Sequence, residues 1–152
     1  MKPRLDPMTA APGLMQAMFA LEKAVQESGL EKSLVHLVKM RASQLNGCAF
    51  CLHMHSSDAR AEGESEARLY LLNAWRESSM YTARERAALA WTEALTLLPQ
   101  THAPDETWAE VKAAFDDAEQ VALSLLIGTI NTWNRIAVGF RSAHPHDLAA
   151  AT

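Results

Sequence analysis

Apolar residues recur every three or four positions along most of this chain, the spacing of one helix face. Leu14, Met15, Met18, Phe19, Leu21 and Val25 form a first stripe. Ser28-Gly29 stops it, which predicts a helix from about Gly13 to Glu27. Leu34, Val35, Leu37, Val38, Met40 and Leu45 form a second stripe, ended by Gly47. A third helix follows to about Glu62 and is closed by Gly63. Ser65 is placed to cap a fourth, which shows Leu69, Leu71, Leu72 and Trp75. Thr82-Ala-Arg-Glu85 is a capping box that opens a fifth, running through Ala87, Leu89, Trp91, Ala94 and Leu98 until Pro99. After a loop at 99–104, a short helix is predicted from about Asp105 to Phe115. Asp116-Asp-Ala-Glu119 then caps a long one reaching Phe140. That last helix is apolar nearly all round, so it is expected to thread the core or to meet a copy of itself. Residues 1–12 hold three prolines and predict an extended arm, and residues 142–152 a frayed tail. No segment alternates apolar and polar with period two. The pattern predicts an all-α single domain over 1–152, a bundle of six or seven helices.

Composition narrows the function classes. The 152 residues are 49% hydrophobic and 21% charged, enough for one packed core. A net charge of −4 gives no electrostatic footprint for nucleic acid, and no Lys/Arg block marks an anionic membrane. The stretch Val121 to Phe140 is apolar enough to suggest a span, but it contains Asn131, Asn134 and Arg135, which are costly at bilayer depth. A core or interface helix fits it better. Those polar groups then need partners, expected on the third helix or across an interface. Asp6, Pro7 and Pro12 interrupt any export signal at the N-terminus, so a cytoplasmic location is expected.

The only two cysteines stand in Gln44-Leu-Asn-Gly-Cys48-Ala-Phe-Cys51-Leu-His-Met-His55. On a helix, Cys48, Cys51 and His55 share one face. Gly47 can end one helix and let the next start at a sharp angle, which puts Cys48 at or next to the helix N-cap. Unpaired N–H groups and the positive dipole end favour a thiolate there, and Cys-x-x-Cys at a helix start lowers a thiol pKa. Cys51 lies inside the first turn and one turn from His55, which makes it the better nucleophile. Its thiolate can attack a peroxide oxygen and become a sulfenic acid. Cys48 can then condense with it to a disulfide, and a dithiol can reset the pair. Either order of the two sulfurs is compatible with the spacing. His55 is placed to take or return a proton. His53 faces elsewhere and reads as surface or interface. Trp75, Trp91, Trp108 and Trp133 read as packing anchors.

This motif resembles the Cys-x-x-Cys-x-x-x-His core of the AhpD-like alkylhydroperoxidases, within the carboxymuconolactone decarboxylase superfamily. Asn73-Ala-Trp-Arg-Glu-Ser, Tyr81-Thr-Ala-Arg-Glu-Arg-Ala-Ala-Leu and Ile130-Asn-Thr-Trp-Asn-Arg-Ile-Ala-Val look like stretches of the same family, so the similarity covers roughly Leu30 to Arg141. The resemblance implies Cys51 as the peroxide-reactive cysteine, Cys48 as its resolving partner and His55 as the catalytic histidine. It implies a hydroperoxide substrate, a dithiol or protein reductant, and a homo-oligomer, either a trimer or a dimer of trimers. No bound cofactor is needed, because sulfur does both steps. One position departs from the family. Its members carry a relay glutamate twelve residues before the first cysteine, and here that position is His36. His36 either relays a proton as a neutral imidazole or packs against the core. Arg41 and Gln44 lie close enough in sequence to neutralise a thiolate, although an arginine there is more often a surface or subunit-contact residue.

Three other functions compete. Two thiolates and an imidazole are natural zinc ligands, but i, i+3 and i+7 on one helix splay over about two turns, and only His36 offers a fourth. A lyase of the carboxymuconolactone decarboxylase type would generally do without the cysteine pair. A redox sensor would share the chemistry and lack turnover.

Overall fold

The capping box predicted at Thr82 is formed, and the N-cap predicted at Asp116 is formed as a second capping box. Thr82 and Glu85 exchange side-chain and backbone hydrogen bonds at the start of one helix, Asp116 and Glu119 at the start of another. The computed structural model describes residues 2–144, so the end of the expected tail, 145–152, lies outside the described residues. Among those described, the order is α1 (Pro7–Ala10), α2 (Pro12–Gln26), α3 (Lys32–Leu45), α4 (Ala49–Ala61), α5 (Glu66–Leu71), a single 3₁₀ turn (Leu72–Ala74), α6 (Ala83–Thr96), α7 (Leu98–Thr101), α8 (Asp105–Ala114) and α9 (Asp117–Phe140). No strand occurs among them.

Seven of these helices lie where the periodicity predicts, except that the fourth ends at Leu71, with Leu72 in the 3₁₀ turn and Trp75 beyond it. The two additions, α1 and α7, are single turns of four residues, each with a proline in its first turn. Proline interrupts a helix interior but is preorganised for a helix start, where its missing N–H costs nothing. The extended arm and the loop at 99–104 are corrected accordingly.

The most enclosed helix is α3. Val35 and Val38 pack with Trp91, Val111, Leu123 and Leu126 on one side. Leu37 and Met40 pack with Ala59, Leu69, Leu72 and Leu89 on the other. The long helix α9 is apolar and long enough to cross a membrane, yet it packs against α2, α3, α4, α6 and α8. Its outer side is not covered: Val121, Leu125 and Val138 are exposed.

The polar residues of α9 form a buried knot. Asn46, the C-cap of α3, donates to Asn131 Oδ1 at 3.0 Å and to Asn134 Oδ1 at 2.8 Å. Asn134 Nδ2 donates to Ser43 Oγ at 3.0 Å, and Asn131 Nδ2 to Thr96 Oγ1 at 2.9 Å. The partners therefore sit on α3 and α6, not on the cysteine-bearing helix α4.

Arg41 does not face the sulfurs. It is buried and paired with Glu93 of α6 (Nη2 to Oε1, 2.8 Å), and it also donates to Gln44 and Asn73. Glu93 accepts from Trp75 Nε1 and Arg76 as well. Burial pushes its carboxyl up, but these donors and the Arg41 charge outweigh it and hold it below its ordinary range. Replacing Glu93 by Ala would leave a buried guanidinium unpaired. The expected cost is about 3 kcal/mol, read as a lower urea midpoint.

Candidate functional site

The cysteine pair is placed by a turn that only a left-handed residue can make. α3 ends at Asn46, and Gly47 takes φ +63°. The chain then reverses, with the Cys48 N–H donating to Ser43 O at 3.0 Å. Cys48 is the N-cap of α4, as expected, in extended conformation. Its Sγ accepts the Cys51 N–H at 3.3 Å. One of the N–H groups at the helix start, that of Cys51, therefore serves the Cys48 sulfur. The two cysteines are joined as a disulfide, with their Cα atoms 5.3 Å apart.

Both residues are nearly enclosed, Cys48 at 1% exposure and Cys51 at 2%, packed with Phe50 and Ala137. They differ in one respect. Cys51 lines a cavity of about 840 Å³ and Cys48 does not. His55 and His36 line the same cavity. Three of the four candidate residues thus meet around one space, with the fourth bonded behind Cys51. Phe19 of α2, Met54 of α4 and Trp133 and Ile136 of α9 give it apolar walls.

The polar part of the lining brings in residues the sequence analysis did not single out. Lys39 and Glu22 form an ion pair with both side chains largely buried. Glu22 also accepts from Gln26 Nε2 at 3.0 Å and from Trp133 Nε1 at 3.1 Å. Burial would raise Glu22, but Lys39 and these donors keep it below its ordinary value. Trp133 is therefore more than a packing anchor. The one sequence signal for Lys39 was its position, a full turn after His36 within an apolar stripe. Glu22 comes from a separate helix, and nothing local foretold the pairing.

His55 is held neutral. Burial is the main cause, pushing its pKa from 6.5 to about 4, with the Lys39 charge and His36 adding to the effect and Glu22 opposing it. Its Nδ1 lies 3.9 Å from the exposed Asp58 carboxylate. His36 stands with its Nε2 3.4 Å from Glu62 Oε2 and its Nδ1 buried without a hydrogen-bond partner. It also borders a second cavity, of about 470 Å³, beside Arg68 and Glu85. His36 thus lines both cavities while its side chain stays largely buried, 13% exposed. His53 is on the outer side of α4, its ring against that of His144 with centroids 4.7 Å apart. Among the described residues no three His, Cys, Asp or Glu side chains are grouped as a metal site requires.

Known proteins share both the sequence and the fold. Residues 12–94 match the sequence model of the carboxymuconolactone decarboxylase family. The uncharacterised protein YdfG of Bacillus subtilis is 43% identical over 145 residues, which are 94% of this chain and 99% of YdfG. The uncharacterised YnjA of Escherichia coli is 30% identical over 106 residues, 70% of this chain and 58% of its own length. Among solved structures, a protein of unknown function from Agrobacterium tumefaciens, proposed as the antioxidant defence protein AhpD, is 50% identical. It superposes with a TM-score of 0.92 over 95% of this chain and 99% of its own. The debrominase Bmp8 shares the fold at 22% identity, with a TM-score of 0.83 over 94% of this chain and 77% of its own. The family match takes in more than half of the chain, and a relative 43% identical runs along nearly all of it. The protein belongs to the carboxymuconolactone decarboxylase family and is AhpD-like within it.

Proposed function

We propose that this protein is a thiol-dependent peroxidase of the AhpD type, reducing hydroperoxides through Cys48 and Cys51. The observation that carries the reading is that Cys51 and His55 open onto one cavity while Cys48 is bonded behind. In the reduced protein the Cys51 thiolate attacks the outer peroxide oxygen. An S–O bond forms, the O–O bond breaks, and the alkoxide leaves with a proton as an alcohol. The Cys48 thiolate then attacks the Cys51 sulfur, forming the disulfide and releasing the oxygen as water. A dithiol returns two electrons and two protons. The cytosol, where such reductants are kept reduced, is the setting proposed.

His55 supplies the proton traffic. In the disulfide state it is uncharged and desolvated. A thiolate one turn away would favour its charged form, so it can accept the Cys51 proton and hand it to the leaving alkoxide. The apolar walls suit a hydroperoxide bearing an alkyl or aryl group. The debrominase Bmp8, also solved as a cysteine-to-alanine variant in complex with 2,3,4-tribromopyrrole, is an enzyme of other chemistry on this fold. A redox sensor would show the same single oxidation with no catalytic cycle.

A homo-oligomer belongs to this proposal. Val121, Leu125, Gly128 and Thr132 lie along one exposed stripe of α9 that a second copy would cover. Leu125→Glu is expected to lower the sedimentation coefficient toward that of a monomer.

Cys51→Ser is expected to abolish peroxide consumption. Cys48→Ser should consume one equivalent and stop at a sulfenic acid that a dimedone probe captures. Loss of both thiols' reactivity toward peroxide in the unaltered protein would end the reading. His55→Asn should slow the peroxide step by about 100-fold or more.

The same histidine gives a pH signature. Its pKa is about 4 when folded and 6.5 as a free side chain, so the unfolded chain binds the extra proton between those values. Its neutral burial leaves stability intact above about pH 6.5, and stability falls as pH drops toward 4, by at most roughly 3 kcal/mol. Urea unfolding at pH 7 and 4.5 measures this, and the His55→Phe variant should lose less between the two.

A further inference from the structure

We infer that residues 4–10 form a strap along the Cys51 cavity that selects, by bulk, which molecules reach the sulfur. The inference rests on the peroxidase reading for the identity of those molecules, but not for the gating itself. The sequence predicts a featureless arm here, and the structure shows a short element fastened at both ends. At one end the Arg4 N–H donates to Phe140 O at 2.9 Å, and its guanidinium to Gly139 O at 3.0 Å. Those carbonyls belong to the last turn of α9, which has no further helical N–H to serve them and carries the negative end of the dipole. A cation is favoured there on both counts. At the other end the strap runs directly into α2 at Pro12.

Between these anchors Asp6 accepts from the Met8 N–H at 3.0 Å and from the Thr9 hydroxyl, which folds 7–10 into the single turn α1. That turn directs Pro7 and Met8 to the cavity lining. Another part of the lining is firmer. Trp133 packs at a tilt against Phe19 with ring centroids 5.2 Å apart and is pinned to Glu22. The strap itself has no buried residue in α1, and Leu5 and Met8 remain 47% and 44% exposed. Little apolar area holds it down, so the Arg4 latch is a large share of what keeps it in place.

The test uses reduced protein in a Cys48→Ser background, so that Cys51 alone reports. Alkylation rates are measured with iodoacetamide and with a fluorescein-bearing maleimide. Arg4→Ala and Met8→Ala should raise the bulky-to-small rate ratio about 5-fold, and Met8→Trp should lower it by a similar factor. A parallel shift in the cumene hydroperoxide to hydrogen peroxide ratio is expected in the protein with both cysteines. Ratios unchanged within about twofold in all three variants would overturn the strap. An alkylation shift without any peroxide turnover would sustain the strap and remove the peroxidase.

Discussion

The site depends on the amide of Asn46. That one side chain, at the end of α3, donates to two asparagine oxygens on α9, and the same asparagines reach back to Ser43 and across to Thr96. Apolar packing tolerates small slides and rotations, whereas paired amides are directional and are expensive when buried without partners. The knot therefore fixes the height and rotation of the end of α3 against α9. Gly47 and Cys48 are the next two residues, so the start of α4 inherits that position. Trp133 and Ala137, neighbours of the knot on α9, then fall on the cavity side.

The electrostatic character of the cavity follows from what is enclosed with the sulfurs. A lysine and a glutamate are buried together, at a desolvation cost that their mutual hydrogen bond and those from Gln26 and Trp133 offset. The pair contributes little net charge, yet its positive member is the one that further depresses His55. The imidazole is thus a neutral group in a low-dielectric pocket, ready to respond strongly to a charge appearing on sulfur.

Sequence patterns revealed what is local. The long helices were legible because their stripes and caps lie within a few residues: Thr82 with Glu85, Asp116 with Glu119, Gly47 before Cys48. The cysteine–histidine face was legible for the same reason. The one-turn helices were not, because proline reads as a stop whether it breaks a helix or begins one. Arg41 lies near the motif in sequence, whereas its rotation on α3 sends it to Glu93 on α6. Glu22 and Lys39 meet across seventeen residues of chain, and Glu62 approaches His36 from the far end of α4. Such encounters are decided by how helices pack, and no local spacing encodes them.

The asymmetry between the two sulfurs has a kinetic corollary. Of the two sulfurs only that of Cys51 belongs to a residue bordering the open space, so under the proposed chemistry an oxidant and a reductant would use the same doorway in turn. A mixed disulfide with an incoming thiol would form on Cys51, and Cys48 would depart as the thiolate, met at once by the amide already aimed at it. Under the proposed chemistry the two half-reactions alternate, and an excess of either partner slows the other by occupying the entrance.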